Sequence, residues 1–463
     1  MPARWFIAVP LVLAATALAP AAESVRLREA FPAGEQYHVA IREEAAGELK
    51  LPAEGSKPGD PAKPGTPPPI KVHGRGALEY DERVLDPGTP DNPAPRTLRV
   101  YRRVELERSI DDQAQDSTLR PAVRRLVLLR NGHREAAFSP DGPLTWGEVH
   151  LVSKDVFTPA LAAALLPDRP VAPGDRWPAK ASAAEELTDL EEIQGGLECR
   201  FEEVTSLNGR RLARVHFAGD VRGVGEDGPS RQQLDGFYYF DLDSSHLSYL
   251  SLKGVHSLLD KTGQEAGRVE GQFTLTRQAH ARCPELADEA IRGLALEPNA
   301  DNSLLLYEGG ELGVRLLYSR RWRMPAVRGR QLFLNDANGN GLMLTLETPA
   351  SLPTAAAYLD EIRAFIAKEK GKVLRTDGPR RLQGPPDELD QFGLDVEMGG
   401  RRERLEYYVV RQPAGGATAA ARLAPGGDLA AAQRDVERIV RGVRVIGVPP
   451  AAKPVPVPPP ERK

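Results

Sequence analysis

The chain has 463 residues, with 61 Lys and Arg against 65 Asp and Glu, a formal net charge of −4. Near-balance with scattered arginines excludes a polyanion as electrostatic partner, because phosphate neutralisation needs clustered positive charge, so no nucleic-acid partner is expected. The length exceeds one ordinary hydrophobic core and predicts two or three domains, and the fractions of hydrophobic (41%) and charged (27%) residues are those of a water-soluble globular chain.

Residues 1–21 carry a secretory signal pattern. Arg4 is the only charge before Glu23, residues 5–18 are apolar apart from Pro10 and Thr16, and Ala19-Pro20-Ala21 supplies the small residues of a cleavage site. The apolar run is shorter than the ~18 residues that a membrane span requires. The mature chain is therefore expected to lack a transmembrane segment and to work in the periplasm or outside the cell. No cysteine lies near the cleavage site to carry a lipid. The two cysteines, Cys199 and Cys283, permit one disulfide in that compartment without requiring it. Their separation excludes a C-x-x-C zinc motif.

Residues 22–285 read as a large antiparallel β-rich domain. Residues 36–41 alternate apolar and polar. Residues 49–74 are dominated by Pro, Gly and Lys, and the stretch at about 52–69 is expected to be a disordered insertion between two strands. Strand patterns resume over 70–85 and 98–110, separated by a Pro-rich break at 86–95. Hairpin turns are marked by Asn131-Gly132, Asn208-Gly209 and Asp243-Ser244-Ser245. One short helix is expected over 159–166. The stretches Glu185-Glu186 and Asp189-Leu190-Glu191-Glu192 have no aromatic platform beside them and read as solvated surface rather than acid–base pairs. Phe237-Tyr238-Tyr239-Phe240 alternates across a strand, placing two rings on each face. One pair suits the core, and the other would be a platform for a carbohydrate or apolar ligand.

Residues 286–302 read as a linker, 303–447 as a second domain and 448–463 as a disordered Pro-rich tail. Within the second domain, strands are expected over 312–318, 331–334, 342–347, 394–398, 405–410 and 418–423. A helix over 353–370 starts with Pro353 and carries Tyr358, Ile362, Phe365 and Ile366 as its apolar stripe. Asp428 caps a last helix over 429–443, with Val436, Ile439, Val440 and Val443 facing inward. The expected fold class is α+β, a large antiparallel β-rich domain followed by a smaller α+β domain. The second segment, with Gly313-Val314-Arg315-Leu316-Leu317-Tyr318, then Trp322, a hairpin, a helix, three strands and a final helix, resembles the α-β-α sandwich of the PsbP-like family. That resemblance implies an extracytoplasmic accessory or binding role and carries over no site residues. The first domain, through Pro170-Val171-Ala172-Pro173-Gly174-Asp175-Arg176-Trp177 and the strand with Phe237 to Phe240, resembles uncharacterised exported β-rich domains of planctomycete-type bacteria, which implies no function.

One motif carries chemistry. Asp336-Ala337-Asn338-Gly339-Asn340-Gly341 followed by Glu347 fits the calcium-loop spacing. Asp336, Asn338 and Asn340 would offer side-chain oxygens, Leu342 a backbone carbonyl and Glu347 a bidentate carboxylate. The tandem Asn-Gly pairs equally select a hairpin turn, and the strand-like run after them favours the hairpin. Calcium is the one candidate cofactor. The eight histidines include no pair at zinc-helix spacing, and there is no nucleophile elbow, phosphate loop or dinucleotide fingerprint. No catalytic residue is assigned. The expected function is a non-enzymatic binding or accessory protein of the cell envelope, holding a protein or an apolar ligand. The alternative is an exported hydrolase with a site assembled from scattered Asp, Glu and His of the β-rich domain. An enzyme would gather titratable groups in one cleft, and a binder would present an apolar groove or a broad surface patch.

Overall fold

Alternating side chains fold into two large antiparallel sheets in a computed structural model that describes residues 24–50 and 68–447, apart from 91, 112, 132–133, 154, 311, 385–387 and 425–427. The signal segment, nearly all of the Pro-rich insertion and the C-terminal tail lie outside the described residues.

The first part of the chain runs β1 (Gln36–Leu49), β2 (Ile70–Thr89), β3 (Asn92–Ile110), β4 (Gln113–Thr118), β5 (Arg125–Asn131), β6 (Arg134–Phe138) and β7 (Leu144–Thr145). Helices α1 (Trp146–Ser153) and α2 (Thr158–Leu165) follow, then β8 (Arg176–Pro178) and α3 (Ala181–Thr188). Strands β9 (Glu191–Leu207), β10 (Arg210–Gly225), β11 (Gly228–Asp241), β12 (His246–Leu259) and β13 (Glu265–Ala279) complete it. Twelve strands form one sheet in the order β6-β5-β3-β2-β1-β13-β12-β11-β10-β9-β8, with β4 paired to β3. The β9–β10 turn is Asn208-Gly209, with φ of +53° and +78°, the doubly left-handed geometry that matches strand twist.

This sheet curls. Strands β5 and β9 stand eight places apart in its order, roughly 38 Å across a flat sheet at ~4.8 Å per strand. Yet Arg130 of β5 pairs with Glu186 of α3, and α3 packs on β9. The inner face closes on the helices. Tyr37, Val39 and Ile41 of β1, Leu250 of β12 and Tyr238 and Phe240 of β11 share one core with Leu151, Leu161, Leu165, Ala183 and Ala184. Short α4 (Asp288–Ile291) follows the preceding turn, whose Cys283 and Leu286 pack on the outer face against Leu98, Val100, Val127 and Phe138. Cys199 lies in the inner core instead, so the two thiols belong to different clusters and both are free.

The second part contains β14 (Leu305–Gly309), β15 (Val314–Tyr318), β16 (Trp322–Arg328), β17 (Gln331–Asp336), β18 (Gly341–Glu347), α5 (Ala355–Lys368), β19 (Lys372–Leu382), β20 (Glu388–Met398), β21 (Arg401–Gln412), β22 (Gly415–Leu423), α6 (Leu429–Gly442) and β23 (Arg444–Val445). Seven strands make its sheet, in the order β16-β17-β18-β22-β21-β20-β19. Consecutive residues of β21 point to opposite sides. Tyr407 packs with Tyr358, Leu359 and Ile366 of α5, and Tyr408 with Val436, Ile439 and Val440 of α6. Thr354 and Asp428 cap these helices by accepting from the Ala357 and Ala431 backbone N–H groups. Strand β7 pairs in parallel with β14, which joins the two parts through a small four-stranded sheet.

The expected α+β class is corrected: among the described residues the fold is mostly β, with 58% strand and 16% helix. Stretches that read as breaks continue as strand wherever a neighbour satisfies their backbone groups. β2 runs through Asp86 to Thr89, β9 starts at the acidic Glu191, and the charged β19 pairs along β20. Propensity gives way to ladder pairing in each case.

Candidate functional site

One side of β1 reads Tyr37, Val39, Ile41, Glu43, Ala45, Gly47. The first three are buried in the core, and then the same face turns small and polar. Neighbouring strands make the same change at the same level. Ala45 stands between Gly74 of β2 and Gly271 of β13, Gly271 faces Gly254 of β12, and Gly254 faces Leu234 of β11. Four small residues in register leave the helices nothing to pack on. The space left is a cleft of about 1160 Å³. Such a volume lies somewhat above the ~300–1,000 Å³ range of small-molecule sites.

Apolar and acidic groups divide the lining. Val156, Leu187, Leu190, Leu234, Leu252 and Phe273 form the apolar wall. Around them stand nine carboxylates, from Glu43 and Glu44 on β1 to Glu185 and Glu186 on α3 and Glu191 and Glu192 on β9, against Arg130 and His256 as the basic groups among the described lining residues. Arg130 is taken up by Glu186, and its guanidinium lies 4.8 Å from the Phe157 ring centre.

At the floor, Arg99 is buried and donates to Glu82 Oε1 (2.7 Å), Asp155 Oδ2 (2.5 Å) and the Tyr101 hydroxyl (3.3 Å). Its guanidinium stacks 4.3 Å from the Tyr80 ring centre. Two carboxylates share one cation here, and Asp155 Oδ1 has no hydrogen-bond partner. Burial pushes the Asp155 carboxyl up to about 6; Arg99 opposes that rise, and Glu82 and Glu43 add to it. Glu43 is exposed at the cleft, yet partial desolvation by the surrounding walls raises its carboxyl, with Arg108 opposing. Burial lowers the imidazole of His256, with Asp227 opposing, and its Nε2 has no hydrogen bond. The arrangement can hold a positively charged group beside an apolar surface, and it can accept or release a proton at Asp155.

The residues singled out by sequence fall elsewhere or change meaning. Asp336 to Asn340 form the β17–β18 turn. Asp336 accepts from the Asn338 and Asn340 backbone N–H groups (both 2.9 Å) and from Asn340 Nδ2 (2.8 Å), while Asn340 Oδ1 accepts from Ala424 N–H (2.8 Å). Leu342 is buried in the sheet core, and Glu347 ends β18 at the opposite end from the turn, where it accepts from Ser351. The loop is thus brought together as a hairpin, with Glu347 apart from it. Phe237 and Tyr239 lie on the outer face with Tyr249, their centres 5.6–6.1 Å apart and tilted against one another. The carboxylates read as solvated surface divide: Glu191 and Glu192 are exposed at the cleft rim, while the Glu186 side chain is 8% exposed and ion-paired. Glu43, Asp155 and the glycine row escaped the sequence reading. The switch from large to small on one face of β12, Leu250-x-Leu252-x-Gly254-x-His256, is the signal that points to them.

No known family's sequence pattern matches the chain, and no curated protein matches it. Among solved structures, cyanobacterial PsbP from Synechocystis is matched with 15% identity and a TM-score of 0.24, over 31% of this chain and 92% of that one. The immunity protein TplEi of the type VI secretion system of Pseudomonas aeruginosa is matched at 12% identity and TM-score 0.20, over 60% of this chain and 96% of that one. DynF from the dynemicin biosynthesis pathway of Micromonospora chersina is matched at 9% identity and TM-score 0.15, over 56% and 86%. The likeness to planctomycete-type exported domains has no support in these comparisons. No helix among the described residues is long and apolar enough to cross a membrane.

Proposed function

We propose that this chain is a binding protein that holds a molecule with an apolar body in the cleft on the inner face of its first sheet. The observation that carries this reading is the register row Gly74, Ala45, Gly271 and Gly254, which keeps one end of an otherwise packed face open beside an apolar wall. An evolved core would fill such a space, because unfilled volume costs stability. The test is uptake of the neutral dye N-phenyl-1-naphthylamine by the purified chain. Saturable fluorescence enhancement is expected for the wild type, and its loss in Gly254→Phe. A Cβ at residue 254 would lie 3.3 Å from the Leu234 Cδ2 methyl, so that side-chain end shifts by a few tenths of an ångström to admit it. Uptake that is absent in the wild type, or unchanged in Gly254→Phe, overturns the reading. The signal pattern at residues 1–21 supports work outside the cytoplasm, and mass spectrometry of the mature amino terminus tests it.

A second reading is hydrolysis, favoured by two carboxyls held above their ordinary range in one cleft with His256. A group near 6 is suited to proton transfer at neutral pH. Turnover of a chromogenic ester or glycoside that vanishes in both Asp155→Asn and Glu43→Gln, with folding intact, would decide for it.

A further inference from the structure

The cleft has an inner end. Glu43 and Asp155 line both the main cleft and a side cavity of about 30 Å³ between β1, β2, β3 and α1, room for a water-sized group. Glycine builds this junction. Gly76 stands opposite Glu43 on β2, and a Cβ there would lie 2.4 Å from Glu43 Oε1, so the bare backbone is what lets the Glu43 side chain lie across the strand. Arg108 is the cation that acts on Glu43, and it does not outweigh the desolvation of that carboxyl. The Asp155 side chain is 0% exposed, and its Oδ1 is buried without a hydrogen bond. The Tyr80 hydroxyl beside it favours the ionised form, yet no bond of good geometry joins the two. A buried carboxylate oxygen without a donor is costly, and native folds leave few of them.

We infer that this junction is a head-group site for a primary ammonium, so that the ligand class is an amine on a long apolar body. The inference rests on the cleft being a ligand site, as proposed above. Three features select the head group. Its charge must be positive, because nine carboxylates line the cleft against a single arginine that is already paired. It must donate hydrogen bonds, because Asp155 Oδ1 and Glu43 both accept. It must be small, because a quaternary ammonium exceeds the side cavity. The apolar body then lies along Phe273 and Leu252, which follow Glu43 in the same cross-strand row. An ammonium between the two carboxylates also offsets the desolvation that raises both groups and the Glu43 charge that adds to the rise at Asp155.

Competition against the dye on the full chain tests this, with dodecylamine, dodecanol, dodecanoate, dodecyltrimethylammonium and tetralysine, each below its aggregation limit. The wild type is expected to release dye to dodecylamine at concentrations roughly tenfold to a hundredfold lower than to dodecanol, the range of one charge-assisted bond. Dodecanoate and dodecyltrimethylammonium should fall behind as well. Glu43→Gln, on the open side of the junction, should narrow the dodecylamine preference, and Asp155→Asn should remove it, with thermal melting checked for both. A preference untouched in Glu43→Gln, or equal displacement by dodecanol or dodecanoate, overturns the inference while leaving the cleft reading intact. Displacement by tetralysine as strong as by dodecylamine overturns it in favour of a basic peptide. Failure of the wild type to take up dye overturns the cleft reading and the inference together.

Discussion

The two halves of the inner sheet face differ although the same strands build both. Toward one end, Val39, Ile41, Tyr238 and Leu250 meet α1–α3 and bury completely or nearly so. A few residues along the same strands, Ala45, Gly254 and Gly271 face open space and Glu43 replaces an apolar residue. Pairing, curvature and alternation are common to both halves, so only side-chain size and charge separate them. A sheet can thus carry core and site on one face, and the border between them is drawn by register.

Core truncation is the largest way to break this comparison. Leu250→Ala in the filled half should cost ~2–5 kcal/mol by urea unfolding, whereas Gly254→Ala in the open half should stay within ~1 kcal/mol. Equal losses would mean that the open half is packed.

Titration gives the next contrast. Asp155 at the cleft floor is raised from an ordinary value of 3.8 to about 6. The folded state therefore binds its proton more tightly than the unfolded state, and stability falls as pH rises from about 4 to 6, by at most ~3 kcal/mol. His246, buried in the filled half with Nε2 on the Arg277 carbonyl, is lowered by burial and by Arg277 from 6.5 to about 4. Its contribution has the opposite sign: stability is present above 6.5 and is lost as pH falls toward 4. Unfolding free energies across pH 4–7 should show a flattened decline in Asp155→Asn and a flattened acid loss in His246→Gln. Identical pH profiles in wild type and both variants would contradict these assignments. The smallest effect belongs to the rim. Glu191→Gln, at an exposed position, should shift stability by no more than ~0.5 kcal/mol, and a larger loss by urea unfolding would place Glu191 in the packed network.

Legibility followed locality. The Asn208-Gly209 turn, α5 and α6 with its Asp428 cap depend on neighbours within a few residues, and the sequence pattern found each of them within a residue or two of its limits, though it began α5 at Pro353 and did not single out the Thr354 cap. Helix α3 was missed because its acidic end reads as solvent-facing, whereas Ala183 and Ala184 hold it to the core and Glu186 meets Arg130 from a strand far away in the chain. The candidate site was missed for the same reason on a larger scale. Gly74, Ala45, Gly254 and Gly271 belong to four strands, and only pairing brings them into one row. Asp155 reads as an ordinary loop residue until Arg99 and Glu82 close over it.

The central claim, that one strand passes from packed core into an open ligand cleft, is tested most directly by thiol reactivity at two positions of β12. Both native cysteines are buried, which keeps the background low. Gly254→Cys should react with a small thiol reagent as an exposed cysteine does and be protected by bound dye, while Leu250→Cys should react only through unfolding. Equal rates at the two positions, or reactivity at 254 that dye leaves unchanged, would contradict the account.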